Sequence, residues 1–267
     1  MNGKQMALIK KDVGGITKNR RILTVMLVVP LILTVAVPLV FVLGLAFSPE
    51  ETFQELQPLL SKLPPAFQAE AGFSGVIWLL ANRIMCPFFL MIPLMAASVM
   101  AASSFAGERT LRTLETLLYA PLSLKEIFQA KILSALFVGM GAGLISFAAM
   151  TAVLEGASFL LTGRAIAIDG LWLITLGLLS PAISLCAIGI TVRTSAKAQS
   201  VEEAQQRAVF LIFPVMALLV AQLTGVLMLN GWVLLTAGVV LSLGAAWTLK
   251  RAAGNFTYEA LLSGPSQ

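Results

Sequence analysis

The sequence predicts an all-α membrane protein with six transmembrane helices, on three observations. Hydrophobic residues make up 58% of the 267 residues and charged residues only 12%, whereas soluble domains carry about 25% charged residues. The apolar residues form runs long enough to cross a hydrocarbon core, which takes about 20 residues in a helix. Lys and Arg flank these runs. The net charge of +5 is therefore interpreted as a topology signal, and nucleic acid is not expected as a partner.

The first 21 residues predict an amphipathic helix that lies at the membrane interface. Four apolar residues fall on one side at 100° per residue: Met6, Ile9, Val13 and Ile16. Three lysines repeat every seven residues on the other side: Lys4, Lys11 and Lys18. A basic face opposite an apolar face is typical of a helix that lies flat on anionic lipid.

Six apolar segments have the length of a membrane span. They are 22–47, 84–106, 132–154, 171–192, 208–229 and 232–249. Between the first two lies an acidic, proline-containing extracytoplasmic segment, 48–83, with a short helix expected near 50–61. Its apolar end, "FSGVIWLLANR", is too short to cross and is expected in the interface or as a re-entrant piece.

The distribution of basic residues orients these spans. Fifteen of the 18 Lys and Arg residues lie at the two termini and in the connections 107–131 and 193–207. Because cytoplasmic connections are enriched in Lys and Arg, both termini are predicted to be cytoplasmic. We therefore expect a multi-pass protein of the cell membrane, that is, the inner or plasma membrane.

The connection 107–131 predicts two helices separated by a sharp break. The first has an apolar ridge at helical spacing: Leu111, Leu114, Leu117 and Leu118. Pro121 disfavours helix at the residue before it, and Ser123 with Glu126 forms a capping-box pattern. An apolar ridge outside the bilayer favours a docked partner, although the segment could also be a solvated connection whose charges only fix topology.

Two segments resemble the ABC type-2 transporter permease family. In "GERTLRTLETLLYAPLSLKEIFQAK" the matching residues are Glu108, Thr113, Leu114, Glu115, Leu117, Leu118, Pro121, Ser123, Glu126, Ile127 and Lys131. In 200–215 they are Glu203, Ala204, Gln205 and Pro214. The resemblance covers the whole chain, 1–267, as one transmembrane domain. It departs at Arg112, where the family usually has Gly, and between the last two spans, which only Asn230-Gly231 separates.

The resemblance implies the permease half of an ATP-driven exporter. Two permeases, identical or homologous, would pair in the membrane, and two copies of a cytosolic ABC ATP-binding subunit would dock on them. That partner would bind ATP and Mg²⁺, so no cofactor or metal is expected on this chain and the chain is not expected to be an enzyme. The ATPase-coupling residues would lie on a coupling helix within 107–119: Glu108, Arg112, Leu114, Glu115, Leu117 and Leu118.

The few charges within the spans favour an amphipathic cargo, such as a lipid-like, drug-like or peptide-like molecule. The candidate residues of the translocation path are Phe88, Phe89, Phe213 and Gln222. Prolines within the spans are either hinges or ordinary span composition. Gly139 and Gly143 in "GMGAG" predict close helix packing rather than a phosphate loop.

Two other functions fit parts of this pattern. An ATPase-coupled sensor or scaffold would carry the same coupling segment. An intramembrane enzyme would need acids, bases or a metal at membrane depth, but the sequence has no His and no paired carboxylates within a span.

Overall fold

The computed structural model describes residues 3–18, 20–48, 73–108, 122–166, 168–195, 198, 200–223 and 230–254. Within these ranges the regular structure is entirely helical, with no β-strand. The predicted all-α class is thereby confirmed. The expected helix near 50–61 and the segment 109–121 lie outside the described residues.

Eight helices follow one another along these ranges. They are α1 (Gly3–Lys18), α2 (20–46), α3 (Phe73–Gly107), α4 (Leu124–Thr162), α5 (Leu171–Ser195), α6 (Val201–Val209), α7 (Ile212–Leu223) and α8 (Gly231–Gly254). Helix α2 comprises Arg20–Leu31, a π-helical turn at Ile32–Ala36, and Val37–Ala46.

Five helical segments of the described chain are long and apolar enough to cross a membrane. They are Phe73–Gly107, Leu124–Thr162, Leu171–Ser195, Glu203–Ala221 and Gly231–Gly254. The predicted first span corresponds to α2, whose apolar part, Ile32–Ala46, is shorter than the ~20 residues that a full crossing takes. Six full spans are therefore not confirmed.

The boundaries of α3 and α4 differ from the predicted spans. Helix α3 begins at Phe73 instead of residue 84, so "FSGVIWLLANR" continues directly into the second span as one helix. Helix α4 runs from Leu124 to Thr162, beyond the predicted 132–154 at both ends. The predicted second span began only after the charged Arg83, but the helix accommodates this charge by pairing it, as shown below.

Prolines deform the long helices at regular positions. Three π-helical turns each contain the residue four positions before a proline: Thr34 before Pro38, Arg83 before Pro87, and Gly177 before Pro181. A proline ring clashes with the carbonyl group four residues earlier, and a widened turn relieves that clash. The prolines thus have a local structural effect, whereas a hinge role stays a prediction.

Close approaches at small residues hold the bundle together. A Cβ atom on Gly139 of α4 would lie 2.8 Å from the Ala97 Cβ and 2.9 Å from the Pro93 carbonyl oxygen of α3. On the other side of the bundle, a Cβ on Gly189 of α5 would lie 2.6 Å from the Thr248 Oγ1 of α8. The predicted close packing at Gly139 is therefore confirmed.

Helix α3 is the centre of the bundle. In the most apolar 18 residues of α3, 72% of the residues are buried. The corresponding share is 22% in Glu203–Ala221 and also 22% in α8. Helix α8 therefore presents a largely apolar outer surface, with Trp232, Val240 and Leu243 exposed. Such a surface is stable against lipid or against another apolar protein surface.

Candidate functional site

The start of α4 is fixed by a complete capping box. The Ser123 Oγ accepts the backbone N–H of Glu126 at 3.3 Å, and the Glu126 Oε2 accepts the backbone N–H of Ser123 at 2.9 Å. These contacts satisfy N–H groups that a helix start leaves without partners. The predicted capping box is confirmed, and it defines where the chain returns to the bundle after 109–121.

Helix α3 ends in a π-helical turn. This turn, Ser103–Gly107, has no proline behind it, unlike the three others described above. Instead, the Ser104 carbonyl oxygen accepts a hydrogen bond from the Lys131 Nζ at 2.8 Å. Glu108 follows the turn as its C-cap residue.

Lys131 of α4 is fully buried and surrounded by acceptors. Its Nζ lies 2.6 Å from the Glu108 Oε2 and 3.7 Å from the Asp12 Oδ2, and it lies 5.5 Å from the centre of the Phe105 ring. An ammonium group has three N–H donors, and a charge out of water is tolerated only when it is paired. Two carboxylates and the Ser104 carbonyl meet that need.

Helix α1 supplies half of this cluster. Asp12 contacts Lys131, and the exposed Lys11 forms an ion pair of 3.1 Å with the Glu108 Oε1. We call Lys11, Asp12, Glu108 and Lys131 the ionic cluster. With all four groups ionised it carries no net charge, and it joins α1 to the two helix ends that flank 109–121.

Apolar contacts add to this attachment. Leu8 and Ile9 of α1 are buried in one cluster with Ile127 and Ala130 of α4. Ile16 is buried in a second cluster whose members come from several helices, among them Phe105, Phe128, Val192 and Ala252. Helix α1 is therefore packed on protein along one side, at the end of the bundle that we call the α1 end.

The predicted apolar side of α1 was partly wrong. Met6 is 52% exposed, whereas Leu8 is buried and the Asp12 side chain is only 5% exposed. The buried stripe is thus rotated by about one residue from the predicted one, although Ile9 and Ile16 belong to both. The three lysines Lys4, Lys11 and Lys18 are exposed, and the contact of this face with lipid stays a prediction.

The pKa of the Asp12 carboxyl is raised above its ordinary value of 3.8. Burial is the largest cause because it disfavours the charged form, and the nearby Glu108 carboxylate acts in the same direction. Lys131 and Lys11 oppose this rise. The charged form of Asp12 is therefore disfavoured by its burial, and the two lysines offset this only in part.

The second family-like segment packs beside the same helix end. Ser200 caps α6 by accepting the Glu203 backbone N–H at 3.1 Å. The fully buried Ala204 of this helix packs against Ala102 and Ala106 of α3. The segment 200–215 therefore contributes to the α1 end, close to where the chain leaves for 109–121.

A different ionic site lies at the opposite end of α3. The Arg83 Nη1 lies 2.9 Å from the Asp169 Oδ2, and its guanidinium group lies 5.1 Å from the centre of the Trp78 ring. The fully buried Asn82 accepts the backbone N–H of Asp169 at 2.8 Å and donates to the Trp78 carbonyl oxygen at 3.3 Å. This arrangement ties the connection between α4 and α5 to α3.

The predicted coupling residues fall mostly outside the described chain. Glu108 is described, and it belongs to the ionic cluster. The remaining members lie in the segment that the structure leaves out: Arg112, Leu114, Glu115, Leu117 and Leu118. Their role on a docking ridge stays a prediction.

The predicted path residues are not gathered on one surface in this conformation. Phe89 is fully enclosed, with its ring 5.3 Å from that of Trp172 and edge-on to it, whereas Phe88 is half-buried. Phe213 is 66% exposed and stacks on Phe210 at 6.0 Å. Gln222 lies in α7, but its side chain is outside what the structure describes. A role of these residues in translocation stays a prediction.

Among the described residues, no group of three or more Cys, Asp and Glu side chains could hold a metal ion. Cys86 and Cys186 are free and buried. The Cys86 Sγ and the Thr175 Oγ1 are 2.8 Å apart, and the Cys186 Sγ donates to the Leu241 carbonyl oxygen at 3.2 Å. Both thiols thus have hydrogen-bond partners inside the bundle.

A bundle of apolar helices with few charges defines a multi-pass membrane protein. The model of one family, described as "ABC-2 family transporter protein", matches residues 6–237. The chain therefore belongs to this family and is a membrane permease component of an ABC transporter, a class that works with an ABC ATPase. Comparisons with curated proteins and with solved structures find no match.

Proposed function

We propose that this protein is the permease subunit of an ATP-driven exporter, in which a separate cytosolic ABC ATPase docks on the segment 109–121. Two permeases would pair, and each would dock one ATPase. ATP hydrolysis would occur in the ATPase, and the permeases would form the path of the cargo. Membership of the ABC-2 transporter family supports this proposal.

The observation that carries the proposal is the attachment of both ends of 109–121 to the bundle. Glu108 and Lys131 stand on either side of this segment and are joined at 2.6 Å, and the capping box at Ser123 fixes the start of α4. A docking element transmits force only if its base is rigid. A base that two ionic and hydrogen-bonded contacts hold in place is suited to this role.

The direction of insertion follows from the charges. The α1 end carries the basic segments, so we propose that this end faces the cytoplasm, with both termini, in the cell membrane. The leucine ridge would then lie on the cytoplasmic side of the membrane, where the ATPase is. The site of Arg83 and Asp169 would lie near the outer face.

The nature of the cargo is proposed from the charges of the spans. Lys131 is paired at the α1 end, and Arg83 is paired with Asp169 at the opposite end. A path with few free charges favours an amphipathic or lipid-like molecule, a drug or a peptide over a naked ion. Flux of such cargo in proteoliposomes with the ATPase and ATP would separate an exporter from a sensor or scaffold, which would bind the ATPase without flux.

The docking proposal is tested by Leu117→Asp. This change puts a charge on the leucine ridge, so we expect the ATPase to co-purify at about one tenth of the wild-type level or less, since a buried charge without a partner costs several kcal/mol. Thr116→Asp is the matched control, because residue 116 falls on the other side of a helix that carries the ridge. Equal co-purification of the ATPase with Leu117→Asp, Thr116→Asp and the wild type would refute the proposal that the ATPase docks on the leucine ridge.

A further inference from the structure

The ionic cluster has an arrangement that the docking of an ATPase does not by itself require. Its four groups come from three parts of the chain: Lys11 and Asp12 from α1, Glu108 from the end of α3, and Lys131 from α4. Lys131 of α4 contacts both other parts of the chain, because its Nζ lies against Asp12 of α1 and Glu108 after α3 and donates to the Ser104 carbonyl oxygen of α3.

The cluster divides into two neutral pairs. Glu108 and Lys131 form the inner pair, which is anchored in the bundle with side chains 13% and 0% exposed. Lys11 and Asp12 are the other two opposite charges; they are adjacent in α1, and their side chains are 62% and 5% exposed. If α1 left the bundle, it would take one positive and one negative charge with it, and Glu108 and Lys131 would remain as partners for each other. An unpaired buried charge is the costly outcome, and this arrangement avoids it.

The order of signs makes the two pairs complementary. The positive Lys11 faces the negative Glu108 at 3.1 Å, and the negative Asp12 faces the positive Lys131 at 3.7 Å. Each ion of the inner pair thus attracts one ion of α1. The same pair with its signs reversed would repel α1 at both contacts, although it would still be a neutral buried pair.

We propose that Lys131 is a positioning residue for coupling: through the polarity of its pair with Glu108 it holds α1 at the base of 109–121, so that the two are displaced together. This inference rests on the proposed function, in which 109–121 receives the ATPase. When the ATPase displaces that segment, the ionic cluster passes the movement on to α1. The polypeptide chain itself passes it on to the adjoining ends of α3 and α4.

The test reverses the charges in two stages. The double variant Glu108→Lys with Lys131→Glu restores an inner pair but reverses its polarity toward α1. The fourfold variant adds Lys11→Glu and Asp12→Lys, which restores attraction at both contacts. Lys125→Glu is the matched control, because Lys125 lies on the same helix but is exposed.

The first measurement is the attachment of α1 in the full-length chain. Ile9→Cys and Ile127→Cys place thiols in one buried cluster, with Cys86 and Cys186 replaced by Ser, and disulfide formation with copper phenanthroline as the oxidant reports their proximity. We expect about a tenfold lower rate of cross-linking in the double variant, within the usual range of coupling between sites, and the wild-type rate in the fourfold variant and in Lys125→Glu. A purely structural pair would already be rescued in the double variant, and that result would overturn the proposal.

The second measurement is ATP hydrolysis by the complex that co-purifies with each tagged variant. We expect hydrolysis to fall in the double variant and to recover in the fourfold variant, in the same order as the cross-linking. Hydrolysis that is equal in all variants while cross-linking changes would overturn the role in coupling. Failure of the proposed function is distinguishable, because then no ATPase would co-purify even with the wild type.

Discussion

The two ends of α3 each carry an ionic site, and the two sites are built differently. At the α1 end the cation, Lys131, is fully buried, and its carboxylate partners come from two other parts of the chain. At the opposite end the Arg83 side chain is 14% exposed, and within the described ranges its carboxylate partner is Asp169. There, the buried Asn82 also holds the backbone of Asp169 by a hydrogen bond.

This difference indicates which end can change its contacts. A hydrogen bond to the backbone fixes the connection itself, so the site of Arg83 holds the α4–α5 connection in one position. The ionic cluster holds α1 through side chains only, in addition to apolar packing. We therefore expect α1 to change its contacts with the bundle more readily than the α4–α5 connection does, while the pair of Glu108 and Lys131 stays joined.

The largest expected loss of stability is that of the Lys131→Met variant. It leaves Glu108 and Asp12 facing each other without the cation between them, and removing one partner of a buried ion pair costs about 3–5 kcal/mol. Thermal unfolding in detergent or nanodiscs, measured by light scattering or intrinsic fluorescence, should show a large drop in the midpoint.

The control for this prediction also removes both carboxylate partners. The triple variant Asp12→Asn, Glu108→Gln and Lys131→Met leaves no buried carboxylate without its cation, and such replacements are often close to neutral. We expect it to recover most of the lost stability. A triple variant as unstable as Lys131→Met would contradict the assignment of the loss to stranded charge.

A smaller effect is expected for Asn82→Ala at the opposite end. It removes the acceptor for the Asp169 backbone N–H, and a buried donor left without a partner costs about 1–3 kcal/mol. Hydrogen exchange should increase in the α4–α5 connection while protection at the α1 end stays the same. Exchange that rises equally at both ends would show that the two sites are not independent.

The smallest effect is the pH dependence that Asp12 contributes. Because the pKa of Asp12 is raised above 3.8 by folding, the folded state binds more protons than the unfolded state between these two pKa values. The contribution of Asp12 to stability is therefore fully present below pH 3.8 and is lost as the pH rises through the raised pKa.

Asp12→Asn removes this titration and tests its sign. The stability of the wild type relative to Asp12→Asn should fall as the pH rises through that window and should then stay constant. Thermal midpoints of both proteins over the same series of buffers measure the difference. A difference that grows in favour of the wild type with rising pH would mean that Lys131 and Lys11 outweigh burial at this carboxyl.

Much of the helical architecture could be predicted because it depends on local signals. The apolar runs predicted the helical class, the Ser123 and Glu126 pair predicted the start of α4, and Gly139 predicted a close helix contact. Each of these features is determined by residues near one another in the sequence or by the general demand for space between packed helices.

The ionic cluster could not be predicted from the same signals, because its members are far apart in the sequence. The sequence indicates Lys131 only as a topology charge and as a residue of the family-like segment, without a partner. A signal was present, however: Lys131 is four residues after the buried Ile127, and Asp12 is four residues before the buried Ile16. A charge on the apolar face of a helix indicates a buried ion that needs a partner.

The same reasoning explains why the predicted buried side of α1 was partly wrong. An apolar stripe through Met6 and Val13 avoids Asp12, whereas the structure buries the Asp12 carboxylate because Lys131 pairs with it. Likewise, Arg83 appeared to end an apolar run but lies inside α3 because Asp169 pairs with it. Both misplacements come from treating each charge without its partner on another helix.

The central claim is that a cytosolic ATPase contacts the segment whose base the ionic cluster holds. The most direct measurement is photo-cross-linking in native membranes, with a benzophenone amino acid at position 117 and, as control, at position 116. We predict a covalent adduct from position 117 that contains a protein with a phosphate-binding loop, and little adduct from position 116. Equal adducts from both positions, or labelling of position 117 by a membrane-impermeant reagent applied outside intact cells, would contradict the account.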